Sequence, residues 1–150
     1  MSFYRRDLPH YQRDYRPHFV TFTTDYRRKL PDWAREIVLQ SCIHGHGKKY
    51  NLYAAVVMPD HVHLILTPLI DLRKKRICPL HGILGAMKSF SSRAIHQRTG
   101  ERGKLWRDES FDHVLWSSES LDAKIAYILA NPVRAGLVSV AEEYPWLWKK

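Results

Sequence analysis

The chain has 150 residues, of which 45% are hydrophobic and 26% charged, a composition typical of a globular protein large enough to bury a core without disulfides. No apolar run approaches the length of a membrane span, no signal-peptide core is visible, and two cysteines make no disulfide framework, so we expect a single cytoplasmic domain over 1–150. The formal net charge of +9 predicts a polyanionic partner, and the tyrosines among the basic clusters favour nucleic acid over an acidic membrane.

The first 17 residues are basic, rich in tyrosine and without periodicity, so we expect an N-terminal arm. Two interpretations of this arm stay open. It either clamps DNA or is a disordered tail.

Alternating apolar and helical patterns follow in a regular order. We predict strands over 18–24, 51–58, 61–67 and 111–116, and helices from Asp32, over 80–97 and over 119–130. The last helix is expected to start at a Ser118 cap and to stop at Asn131, because the residue before a proline avoids the helical region. The order β-α-β-β-α-β-α predicts an α+β, ferredoxin-like antiparallel sheet with helices on one face and a further helix delivered to the site.

Two histidines, His61 and His63, begin the third predicted strand after a Pro-Asp turn. Side chains alternate along a strand, so the two imidazoles share one face, roughly 7 Å apart, while Val62 and Leu64 point to the other. Such a pair can hold a metal ion, although ordinary surface histidines share the spacing. A second pair, His44 and His46, lies in a glycine-containing turn and is expected to be solvated.

Tyr127 lies on the last predicted helix, about 140° from the apolar stripe, so the core does not require it. Asn131 follows one turn later on the same face. A phenol can serve as a nucleophile, and an amide oxygen can join two imidazoles around a metal. A surface tyrosine and an ordinary helix end are the alternative interpretation.

Together these segments resemble a known family. VVMPDHVHLILTP, a long helix, LWRDESFDHVLW and YILANPVRAGLV are similar to the single-tyrosine HUH transposases, and most similar to the REP-associated tyrosine transposases of bacteria, over roughly 16–140. The resemblance implies a divalent ion, Mg or Mn, at His61 and His63. It also implies that Tyr127 attacks a DNA phosphodiester to give a 5′-phosphotyrosine, and that Asn131, where relatives often have Gln, is the third ligand.

The same resemblance implies a substrate of single-stranded DNA, in REP-type palindromic hairpins, and a monomer or homodimer. Basic and aromatic residues are the candidate DNA contacts: Tyr4, Arg5, Arg6, Arg16 and Lys88. Relatives carry a basic residue after the Asp-His pair, where this chain has Val114. His113 is either a structural hydrogen-bonding residue or an accessory to catalysis.

Two other functions stay open at this point. A non-catalytic nucleic-acid binder can share the sheet, but RNA recognition domains place stacking aromatics where this chain has histidines. A hydrolase of small phosphoesters needs carboxylate ligands, which the sequence does not offer at a suitable spacing.

Overall fold

The structure is a computed structural model that describes residues 15–150. Within that range lie seven strands: β1 His18–Thr24, β2 Tyr50–Val57, β3 His61–Pro68, β4 Ile70–Asp71, β5 Arg76–Ile77, β6 Trp106–Val114 and β7 Leu147–Lys149. Three α-helices connect them: α1 Asp32–Ile43, α2 Leu80–Thr99 and α3 Ser118–Arg134. No helix in this described range combines the length and apolarity needed to cross a membrane.

Five strands form one antiparallel sheet in the order β6-β1-β3-β2-β7, while β4 and β5 pair as a separate hairpin. Within this sheet, the four neighbouring strands β6, β1, β3 and β2 have the ferredoxin-like order, which confirms the predicted fold class. Strand β7, which the sequence pattern did not predict, adds to the free edge of β2. At the centre, Thr21 of β1 lies opposite His63 of β3 on one side and opposite Phe111 of β6 on the other.

The two faces of the sheet carry different helices. Alternation sends Val20, Phe22 and Leu64 into the main core, which α1 and α2 cover. The opposite face carries Phe19 and Ile65, and α3 packs on it through Ile128, Leu121 and Ile125. This second face also presents the two histidines, so we call it the site face.

The C-terminal boundary of α3 differs from the predicted one. The helix runs through Pro132 to Arg134 instead of stopping at Asn131. Pro132 is buried, so its ring packs inside the protein, although a proline removes one hydrogen bond of the helix. At the other end the cap is Ser117 rather than Ser118, since the Ser117 hydroxyl accepts a 3.0 Å hydrogen bond from the Ser120 amide.

Strand β6 begins at Trp106, five residues before the predicted start at Phe111. Charged residues at 107–109 looked like a loop, but an edge strand can expose them. The start is fixed by Trp106, whose Nε1 donates a 3.0 Å hydrogen bond to the Ser91 hydroxyl of α2. Ser91, the acceptor of this bond, is buried. Phe90, the residue before it on α2, is 50% exposed.

His46 is also a correction, because it is not simply solvated. Its Nδ1 accepts a 2.9 Å hydrogen bond from the Leu52 amide, and its ring lies edge-on to Trp148. His44 is exposed, and its ring stacks on Phe90. The buried thiol of Cys42 in the same segment has its pKa raised to about 12 by burial, so it stays protonated.

Candidate active site

His61 and His63 lie side by side at the start of β3 on the site face. Their ring centroids are 4.7 Å apart and the rings meet edge to face. His63 is almost fully buried, at 8% exposure, whereas His61 is half-buried. The alternation of β3 thus brings the two predicted ligands together.

Each imidazole is held by an oxygen atom on its Nδ1. The Thr21 hydroxyl lies 2.8 Å from Nδ1 of His63, and a carboxylate oxygen of Asp60 lies 2.7 Å from Nδ1 of His61. These contacts fix the orientation of the rings and leave both Nε2 atoms for a ligand. Neither Asp60 nor Thr21 was predicted from the sequence.

Asp60 is itself anchored by Arg27, whose Nε donates a 3.0 Å hydrogen bond to its second oxygen. Burial tends to raise the pKa of Asp60, but the hydrogen bonds from His61 and Arg27 outweigh it and lower that pKa overall. Tyr26 and Arg27 have φ of 56° and 53°, a left-handed turn that non-glycine residues rarely adopt. The strained turn therefore places the Arg27 guanidinium against Asp60, and Asp60 in turn holds the His61 ring.

The electrostatics of the site keep His63 neutral. Burial lowers the pKa of His63 to about 4, and electrostatic repulsion from the nearby His61 and Lys124 acts in the same direction. A neutral imidazole is the form that can donate its lone pair to a metal ion.

Tyr127 reaches the histidines from α3. Its ring centroid lies 5.5 Å from that of His63 and 5.9 Å from that of Phe19, in both cases edge to face. The side chain is 39% exposed, so a substrate can approach it. The helix therefore places a phenol beside the imidazole pair.

Lys124 was missed in the sequence although it lies three residues before Tyr127, on the same side of the helix. Its Nζ is 4.6 Å from the centre of the Phe19 ring and 5.2 Å from that of Tyr127. An ammonium in this position attracts an anion to the space between the phenol and His63. The helical spacing to Tyr127 was the signal that could have found it.

Asn131 lies one turn beyond Tyr127, inside α3. Its Nδ2 lies 3.4 Å from the carbonyl of Tyr127, which leaves the amide oxygen as the atom that could bind a metal. The structure shows Asn131 on the helix of the phenol, while the two histidines are held by the sheet.

The candidate DNA contacts lie in different places. Tyr4, Arg5 and Arg6 are outside the described residues. Arg16 stacks over the Trp116 ring and donates a 2.9 Å hydrogen bond to its carbonyl, which connects the start of the described chain to the segment that follows β6. Lys88 is not brought to the site face: its ammonium donates to the carbonyls of Arg107 and Asp108 beside the main core.

The donor set fits a divalent ion because, within the part of the chain that the structure describes, both imidazoles form hydrogen bonds at Nδ1 and neither does at Nε2. In residues 15–150 no group of three His, Cys, Asp or Glu side chains could hold a metal. An ion at His61 and His63 would therefore need its other ligands from an amide, water or the substrate. Such a site has open positions, as a catalytic one requires.

Two sequence comparisons match this chain to known proteins. The family model described as transposase IS200 like matches residues 11–130. A Haemophilus influenzae protein named as a candidate REP-associated tyrosine transposase is 26% identical over 152 aligned residues, covering 93% of this chain and 84% of that protein.

Two solved structures are also similar. A REP-associated tyrosine transposase bound to a REP hairpin matches with a TM-score of 0.73 and 21% identity, covering 98% of this chain and 82% of that one. A candidate transposase from Deinococcus radiodurans R1 matches with a TM-score of 0.46 and 24% identity, covering 77% and 88%. The first of these shares the fold described above.

Proposed function

This chain belongs to the IS200-like transposase family, and from that premise we propose that it cuts and rejoins single-stranded DNA through a covalent bond to Tyr127. The observation that carries the proposal is the exposed phenol of α3, with its ring 5.5 Å from that of His63 on the site face. A metal site with a nucleophile beside it is an arrangement suited to phosphoryl transfer.

The proposed reaction exchanges one phosphodiester bond for another. The Tyr127 oxygen forms a bond to phosphorus, the bond from phosphorus to the 3′-oxygen breaks, and the 5′-phosphate stays on the tyrosine. The phenol proton passes to water, and the leaving 3′-oxygen takes up a proton. Because the phosphotyrosine keeps the bond energy, a 3′-hydroxyl can attack it and rejoin the strands without ATP.

Residues around Tyr127 prepare this step. The Lys124 ammonium attracts the phosphate and offsets negative charge as the phenol loses its proton. Thr21 and Asp60 hold the two imidazoles in place. Electrostatic stabilisation and positioning of this kind account for most of the catalysis of phosphoryl transfer.

We propose that His61 and His63 hold a divalent ion, Mg or Mn, through their Nε2 atoms, with the Asn131 amide oxygen as the third protein ligand. The ion would act as a Lewis acid on the scissile phosphate. The neutral state of His63 supports this assignment.

The proposed substrate is a single-stranded DNA carrying a palindromic hairpin of the REP type. The net charge of +9 favours a polyanion, and the solved relative with the same fold is bound to a REP hairpin. A single strand suits the site because its backbone can bend towards an imidazole pair of which His63 is almost fully buried.

We further propose that 1–150 acts as one catalytic domain, as a monomer or homodimer, in the cytoplasm. The family match over 11–130 supports a single catalytic domain. The two buried free thiols, Cys42 and Cys78, support a location in the reducing cytoplasm.

The test is to incubate the protein with hairpin oligonucleotides and Mn²⁺ and to look for a protein–DNA adduct on a denaturing gel. We expect an adduct that Tyr127→Phe abolishes and that Tyr26→Phe leaves unchanged. Tyr26 is the matched control because its phenol is 90% exposed and thus freer to react than that of Tyr127. Binding without any adduct would indicate a non-catalytic nucleic-acid binder, and cleaved product without an adduct would indicate a hydrolase.

A further inference from the structure

We propose that Phe111 is a stacking platform for an unpaired base of the DNA strand held at the histidine pair. This inference rests on the proposed function and extends it, because it assigns a nucleobase site to a residue outside the reacting groups.

Phe111 is the last member of a continuous row of rings on the site face. Successive ring centroids are 4.7, 5.4, 5.4 and 5.5 Å apart along this aromatic row. Its members, in order, are His61, His63, Phe19, His113 and Phe111. The row runs across β3, β1 and β6, from the candidate metal ligands to the edge of the sheet.

Exposure rises from the middle of the row, at Phe19, towards its end at Phe111. Phe19 is only 4% exposed, His113 is intermediate, and Phe111 is 60% exposed on the edge strand. Phe19 packs with Ile65 and Ile128 in the buried cluster on the site face, and Phe111 is not a member of that cluster. A phenylalanine in this position keeps a large part of its ring open to a flat apolar ligand.

The register of the sheet fixes the distance between Phe111 and His63. Thr21 lies opposite both His63 and Phe111, so the two residues occupy one cross-strand row with a single strand between them. Two strand spacings amount to roughly 10 Å. That distance suits a nucleotide adjacent to the one whose phosphate lies at the histidines.

A positive charge also lies on the aromatic row. The Lys124 ammonium lies 4.6 Å over the Phe19 ring, between the histidine pair and Phe111. A backbone phosphate on Lys124 would direct its base outwards along the sheet. A cation beside an exposed ring is the combination by which proteins bind single-stranded nucleic acid without reading its sequence.

Phe90 provides a matched control on the opposite side of the molecule. It is 50% exposed and stacks on a histidine, His44, just as Phe111 contacts His113. Yet it lies on α2, which packs on the other face of the sheet, away from the aromatic row. An effect confined to Phe111 therefore cannot come from the loss of an exposed ring as such.

The experiment measures binding rather than cleavage, in the Tyr127→Phe background and with metal chelated. Two fluorescent DNA probes share one hairpin stem, and only one carries a single-stranded extension, in which 2-aminopurine is placed at each position in turn. Each probe is titrated with the parent and with the Phe111→Ala, Phe111→Trp and Phe90→Ala variants.

For the extended probe we expect Phe111→Ala to weaken binding by about 5- to 100-fold, as for the loss of one stacked base. Phe111→Trp should retain the affinity and quench one 2-aminopurine position, and Phe90→Ala should match the parent. None of the variants should alter binding of the blunt hairpin.

The proposal fails if Phe111→Ala binds the extended probe like the parent, or loses affinity equally for the blunt hairpin. It also fails if this variant changes the oligomeric mass, because Phe111 would then lie between two copies of the chain. Adduct formation by the unmodified protein is measured separately, so a failure of this proposal leaves the proposed function intact, and the two failures can be told apart.

Discussion

At the scale of single residues, the two imidazoles of the site differ in their surroundings. His63 is buried beside a hydroxyl, while His61 is half-buried against a carboxylate that is itself bound by Arg27. A carboxylate on the far nitrogen of a ligating histidine fixes the ring and raises its basicity. Asp60 is therefore a positioning residue for His61.

Replacing Asp60 by Asn is expected to weaken Mn²⁺ binding by about 10- to 100-fold, because His61 loses the charge that orients it. Titration calorimetry of the DNA-free protein measures the affinity. Asp108→Asn is the control, since this exposed carboxylate pairs with Lys104 instead. Equal affinity in the Asp60 and Asp108 variants would refute the positioning role.

The lowered pKa of His63 predicts a pH dependence of stability in metal-free protein. Between its ordinary value of 6.5 and its folded value of about 4, the unfolded chain binds a proton on this imidazole that the folded chain does not. The free energy of unfolding should therefore fall as the pH drops, by about 2 kcal/mol from about pH 7 to about pH 5.

Urea unfolding at both pH values measures this change. Burial is the main cause of the low His63 pKa, and the neighbouring His61 and Lys124 lower it further. In the His63→Gln variant, the free energy of unfolding should fall by about 2 kcal/mol less over the same pH range, because the titrating imidazole is gone. An identical fall in both proteins would show that other groups cause it.

At the scale of elements, α3 decides whether the phenol meets the histidines. Its apolar side packs on the sheet through Ile128, and its first turn is closed by the Ser117 cap. The cap and the packing together set the rotation of the helix, and hence the direction in which Tyr127 and Lys124 point.

Ser117→Ala should lower the free energy of unfolding by about 1 kcal/mol, because the Ser120 amide loses its acceptor. The neighbouring Ser118→Ala is the control and should have little effect, since Ser118 is already inside the helix. Chemical denaturation compares the two variants. A larger loss in the Ser118 variant would place the cap one residue later.

The elements also show what the sequence could and could not predict. The strand period placed His61 and His63 on one face of the sheet, and the structure has them there. The helical period placed Tyr127 off the apolar stripe of its helix, and the structure agrees. The partner Thr21 could not be predicted, because it depends on the register between β1 and β3. The predicted C-terminal end of α3 was wrong because of Pro132. A proline usually ends a helix, and nothing in the local sequence shows that this one is buried inside it.

At the scale of the whole molecule, the basic residues fall in many clusters along the sequence instead of one run. The net charge of +9 supplies a general attraction for DNA, while only Lys124 among the described lysines lies over the Phe19 and Tyr127 rings. General and local contributions can be separated by their dependence on salt.

The logarithm of the affinity for single-stranded DNA should fall linearly with the logarithm of salt concentration. Lys124→Met should reduce the magnitude of that slope by about 0.7, the value for one phosphate contact on a single strand. The paired Lys104 serves as control, and Lys104→Met should leave the slope nearly unchanged. Equal slopes in the Lys124 variant and the parent would argue against a phosphate contact there.

The central claim is that one particular phenol carries the DNA, and peptide mapping of the trapped adduct tests it most directly. After incubation with a hairpin oligonucleotide and Mn²⁺, nuclease and protease digestion should leave a nucleotide on the peptide containing Tyr127, attached through its 5′-phosphate. A nucleotide on Tyr26, Tyr53 or any other tyrosine would contradict the account. So would a linkage through the 3′-phosphate.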